Sequence, residues 1–215
     1  MEKQIRRGGV KTPEGFIFEF SGGDLSLDFV NTVDVRPTDH PNELLPTYTE
    51  CFSWAHQAGL ITRMQELNLM KKASRNPREA ESARKYAIAM RECLFQILSQ
   101  KIERKEIPKS LLEKWNKYVQ RTMDYYELVP GKEGFEWRCI ADPLEFDSFL
   151  WPVIHSAVQL LTGSDADRIR RCAQDYCDWL FLDESKRGNR RWCDMSICGN
   201  RAKAERFYSK KRRTK

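Results

Sequence analysis

Cys172-Ala173-Gln174-Asp175-Tyr176-Cys177 and Cys193-Asp194-Met195-Ser196-Ile197-Cys198 are two cysteine pairs of equal spacing, separated by fifteen residues. Pairs this short fold as tight turns that aim both sulfurs to one side. An insert of hairpin length lets the chain leave and return with the second pair, which is the spacing of a four-thiolate zinc site. Within the insert, 179–183 is an apolar strand, Gly188-Asn189 supplies a turn, and 190–192 is a second strand ending on Cys193. Residues 199–208 then predict a basic helix with Cys198 in its first turn. Knuckle, hairpin and helix together predict a treble-clef-like finger holding one Zn2+ per chain on Cys172, Cys177, Cys193 and Cys198. Four thiolates fill the tetrahedron and leave no position for an activated water, so the site is structural. Two disulfides, four free thiols, or iron in place of zinc are the competing readings.

Working outward, the chain has 215 residues, 40% hydrophobic and 11% aromatic, enough for one large domain and a small one and too apolar for a disordered chain. The charged fraction of 32% and mean hydropathy of −0.66 exclude a membrane protein, as does the lack of any run of about 20 apolar residues. Residues 1–9 are charged and lack the apolar core of a secretion signal, which predicts a cytoplasmic protein. Reducing conditions there favour metal over disulfides for the clustered cysteines. Cys51, Cys93 and Cys139 stand singly among apolar residues and are expected as small buried hydrophobes.

The net charge of +6 is uneven: residues 186–215 hold twelve Lys or Arg against Asp194 and Glu205, a net +10, which leaves −4 for the rest. Charge concentrated in this way points to a polyanionic partner, and Arg187, Arg190, Arg191, Arg201, Lys203, Arg206, Lys210, Lys211, Arg212 and Arg213 are the candidate phosphate contacts. Trp179 and Trp192 flank ligand cysteines and are expected to pack over the metal site.

The remainder predicts an α+β, mainly helical domain with short β segments. A leader over 1–14 is expected to be disordered, and 16–20 to form a strand. Asp24 is the expected N-cap of a short helix carrying Leu25, Phe29, Val30 and Val33. Thr47-x-x-Glu50 and Thr62-x-x-Gln65 are capping boxes, and Gly59 closes the first of their helices. Asn76-Pro77 opens a long helix to about Arg104, and Pro108 opens another. Residues 125–129 and 135–140 read as a hairpin; Asp142-Pro143 starts a helix that Pro152 kinks and Gly163 ends. The expected division is therefore leader 1–14, helical domain 15–163 folding by itself, finger 168–209 and basic tail 210–215.

No P-loop, nucleophile elbow or dinucleotide glycine motif is present, and His40, His56 and His155 lack metal-pair spacing. The protein is expected not to be an enzyme. Asp28, Asn31 and Asp34, at i, i+3 and i+6, would line one helix face and form a ligand pocket or enzyme site; the plainer expectation is that Asp28 and Asn31 satisfy backbone groups.

Trp192-Cys193-Asp194-Met195-Ser196-Ile197-Cys198-Gly199-Asn200-Arg201 resembles the signature of the CGNR zinc-finger family, over roughly 169–213. Leu27-Asp28-Phe29-Val30-Asn31-Thr32-Val33 resembles the start of the ABATE domain that precedes such fingers. The resemblance implies a stress-induced transcription regulator. Its finger would bind nucleic acid, double-stranded DNA first, and its helical domain would sense a small-molecule effector or mediate homodimerisation. A zinc-stapled protein-interaction module is the alternative.

Overall fold

The computed structural model describes residues 8–13 and 15–213. In chain order the elements are β1 (Gly9–Thr12), β2 (Gly15–Phe18), α1 (Leu25–Val30), β3 (Val33–Asp34), β4 (Asn42–Glu43), α2 (Tyr48–Gln57), α3 (Arg63–Arg75), α4 (Pro77–Ile102), α5 (Lys109–Met123), β5 (Tyr126–Gly131), β6 (Gly134–Cys139), α6 (Leu150–Thr162), a 3-10 turn (Ser164–Arg168), β7 (Ile169–Arg171), β8 (Leu180–Leu182), a π-helical turn (Met195–Gly199) and α7 (Asn200–Arg213). Among the described residues the strands form four separate antiparallel pairs, β1–β2, β3–β4, β5–β6 and β7–β8. Helices dominate, as expected. No helix among the described residues is long and apolar enough to cross a membrane.

The chain divides into two compact units, but not where the sequence suggested. One unit joins the residues up to Leu44 to those from Asp165 onward, and the other runs from Leu45 to Ser164. The described residues up to Leu44 thus fold with the cysteine-rich segment rather than with the helices of 45–164. The reason lies on the free edge of β8. Leu182 donates its N–H to the carbonyl of Gly22, and the Asn31 side chain pairs with both backbone groups of Leu180. Trp179 donates its indole N–H to the carbonyl of Val33 at 2.9 Å. Gly22 has to be glycine here: a Cβ would meet the Asp28 nitrogen and the Leu27 side chain at 2.9 Å. Part of the expected leader is also ordered structure, since Gly9–Thr12 is β1 and pairs with β2; residues 1–7 lie outside the described set.

The second unit is built as its capping signals dictate. Thr47 and Glu50 form one complete capping box, Thr62 and Gln65 another. Pro77 is the first residue of α4, although Asn76 makes no side-chain cap to it and instead donates to the Lys72 carbonyl. Met90, Leu94, Ile97 and Leu98 bury one face of α4, with Trp54, Phe52 and Trp151 in the same unit's core. The expected helix from Asp142 begins only at Leu150. Pro152 therefore falls in the first turn, where a helix needs no N–H, and produces no interruption. The β5–β6 hairpin matches its expectation, as does Gly163 as the cap of α6.

Candidate metal centre and basic helix

The first cysteine pair closes the β7–β8 hairpin. Cys172 donates its N–H to Trp179, extending the ladder by one step, and Cys177 donates to Gln174 to close the knuckle. The second pair sits on a helix start. Asp194 caps it, accepting from the Ile197 N–H at 2.8 Å, and the π-helical turn that follows buries Cys198. Ala173 donates to the Arg191 carbonyl, which draws the two pairs together.

The Sγ atoms of Cys172, Cys177, Cys193 and Cys198 lie within 4.8 Å of one another, and all four residues are buried. Cys177 to Cys193 is 3.6 Å and Cys193 to Cys198 is 3.7 Å. Zn–S bonds of about 2.3 Å put tetrahedral sulfurs about 3.8 Å apart, so the donors fit the ion in number, kind and spacing. Hydrogen bonding to Cys172, with burial, pushes the Cys177 and Cys193 thiols up, while hydrogen bonds from Cys177, Cys193 and Cys198 pull the Cys172 thiol down. The four cysteines expected as ligands are brought together as one group that could hold a metal ion.

The expected second strand at 190–192 is not formed. β8 pairs with β7 across the knuckle, and the segment after it is a loop folded onto Asp183. The Asp183 carboxylate accepts from the Ser185 N–H, the Ser185 hydroxyl and the Arg190 N–H, which holds Arg190 out of a ladder. These bonds also lower the Asp183 pKa, against the opposing effect of its burial.

The Arg190 side chain is part of the fold rather than a phosphate contact. Its guanidinium donates to the carbonyls of Trp192, Leu182, Ser21 and Cys193 and lies 4.4 Å over the Phe181 ring. Arg201 is half-buried 5.4 Å over the Tyr176 ring, and Arg191 lies 5.1 Å over Trp192. Arg187, Lys203, Arg206 and Lys211 are exposed; the side chains of Lys210, Arg212 and Arg213 lie outside the described set, as do residues 214–215. The glutamine of the first knuckle ties α7 down: Gln174 donates to the Glu205 carboxylate at 2.9 and 3.1 Å. Nothing in the cysteine spacing singled out Gln174 or Glu205. Asp183, two residues before Ser185, carried an Asx-turn signal that sequence reasoning passed over.

Asp28, Asn31 and Asp34 do not converge on one pocket. Asp28 accepts from the Gly22 N–H at 2.7 Å, Asn31 from Leu180, and Asp34 from the Val35 N–H. Asp34 also lines the small cavity containing Cys177, Cys193 and Cys198. Burial raises the Asp28 pKa to about 6, helped by the nearby Asp24 and opposed by the Gly22 bond. A raised acid favours the protonated form when folded, so its ionisation weakens the fold as pH climbs through about 6. Asp28→Asn keeps an acceptor for Gly22. It is expected to raise the urea midpoint at pH 7 and to lose that advantage by pH 4. An equal change at both pH values would assign the effect to something other than charge.

Two family models match the chain. One, described as "Putative stress-induced transcription regulator", covers residues 23–164. The other, described as a CGNR zinc finger, covers 168–211. No curated protein matches it.

Proposed function

The chain belongs to the ABATE family and carries a CGNR zinc finger, and on that premise we propose that it is a zinc-dependent regulator that binds double-stranded DNA through α7 and the adjoining loop. The observation that carries this reading is the union of a metal-fixed helix start with exposed cations. Cys198 ties the turn before α7 to the cluster, Lys203 and Lys211 are exposed on the helix that follows, and Arg206, also exposed, donates its Nε–H to the Ala202 carbonyl. Arg187 adds a cation on the loop, within a segment of net +10. Phosphates are the common partner of such a surface, and each contact releases counterions from DNA. One Zn2+ per chain orders the surface without taking part in chemistry.

In this reading the helical unit of 45–164 supplies effector sensing or homodimerisation. Asp28 and Asn31 carry no catalytic role, because each is engaged with backbone inside the fold.

The test is selection from a random DNA pool with zinc-loaded protein, followed by titration against salt. Arg187→Ala, Lys203→Ala and Lys211→Ala are each expected to lower the slope of log K against log salt by about 0.9 while leaving zinc content intact. Arg190→Ala is expected to lower the melting temperature instead. If none of the three changes affects the slope, the basic surface serves solubility, and an acidic protein partner becomes the better reading.

A further inference from the structure

Among the described side chains of α7, Ala202 is the buried one, and Glu205 reaches back to the Gln174 knuckle. At about 100° per residue, the stripe opposite Ala202 consists of Asn200, Ala204, Phe207 and Lys211, with Lys203 beside it. All five are exposed. Phe207 is 65% exposed and packs edge-on against Tyr208 at 5.7 Å. A phenylalanine left in water on a helix of mean composition this polar is the feature that the phosphate-binding role leaves unexplained. The stripe and its margin carry two aromatic rings, Phe207 and Tyr208, and one methyl group, too small for the core of a protein–protein interface, which needs about 1,000 Å² in total.

Such a stripe does match a DNA major groove. Phe207 stands seven positions after Asn200, about 10 Å of helix, or roughly three base-pair steps. Small or aromatic apolar side chains contact the thymine methyl, asparagine pairs with adenine, and lysines at the margins meet phosphates. Asn200 has its Nδ2 on the Ser196 carbonyl at 3.0 Å, which fixes the amide's direction at the head of the stripe. Resting on the DNA-binding reading above, we infer that α7 is a recognition helix whose Phe207 reads a thymine methyl group in the major groove.

The test uses full-length, zinc-loaded protein and a site obtained by selection, with each thymine replaced in turn by deoxyuridine, which lacks only the methyl. For the parent, one replacement is expected to weaken binding about five- to tenfold. Phe207→Ala is expected to bind the thymine site about as weakly as the parent binds the deoxyuridine site, and to show no further loss with deoxyuridine. Its salt slope, zinc content and affinity for random DNA should match the parent's. The inference is overturned if no deoxyuridine site affects the parent, or if Phe207→Ala retains the full methyl effect. Uniform weakening on specific and random DNA overturns it too, because Phe207 would then act by general stacking. Failure of the parent to bind any DNA would instead reject the function proposed above, and this inference with it.

Discussion

Cys193→Ser is expected to abolish metal retention and to unfold the unit formed by the residues up to Leu44 and those from Asp165 onward, while the helical unit survives. The sulfur of Cys193 stands 3.6 Å from Cys177 and 3.7 Å from Cys198, central to the cluster. Structural zinc sites contribute on the order of 10 kcal/mol, close to the whole stability of a small unit. Here the loss reaches beyond the finger, because α1 and the strands near it are fastened to β8. Leu182 to Gly22, Leu180 to Asn31 and Trp179 to Val33 would all lose their partners together. Residues 45–164 keep α2 to α6 and their own buried face. Calorimetry should therefore show one cooperative transition lost and one retained. Near-UV dichroism should change more than the helical far-UV signal, and elemental analysis should read no metal. Loss of both transitions would show that the helical unit depends on the metal. Full zinc occupancy in the serine variant would remove Cys193 from the ligand set. By the same reasoning, truncation after Gly163 should leave residues up to Leu44 without their partner, and the part that melts cooperatively should be 45–163.

Asn31→Ala should cost about 2–6 kcal/mol, a large effect for one polar residue. Asn31 is 2% exposed, and its amide accepts from the Leu180 N–H at 2.9 Å and donates to the Leu180 carbonyl at 2.8 Å. Alanine leaves both of these backbone groups without the amide that pairs them, in a place water does not reach. Each buried group so orphaned costs about 1–3 kcal/mol. Asn31→Asp preserves the acceptor and removes the donor, so it should also destabilise, with a negative charge facing a carbonyl. Urea denaturation followed by the NMR signals of the Leu182 and Asp183 amides, both in hydrogen bonds of β8 and its flank, reports the unit concerned. A loss under about 1 kcal/mol would mean that the pairing is replaceable and that other contacts hold the N-terminal segment to β8.

What the sequence by itself determined here is what depends on neighbours within a few residues. Thr47 and Glu50, or Thr62 and Gln65, stand one helical turn apart and satisfy each other wherever the helix goes. The alternating pattern of β5 and β6 needs only the turn between them. The cysteine quartet was legible for a related reason: metal coordination chemistry fixes the donors, and two local turns present them in pairs.

Tertiary structure alone decided the rest. The partner of β8 was one such matter, since Leu180 to Leu182 would suit either side of a hairpin. The contest was settled by Asp183 closing the following loop and by the N-terminal segment taking the free edge. Asn31 looked like a member of a polar helix face, and its role depends on a strand 149 residues further on. Arg190 counted as one more cation until four carbonyls converged on it. A backbone hydrogen-bonding edge carries no side-chain code of its own, so which distant segment satisfies it depends on how the whole chain packs.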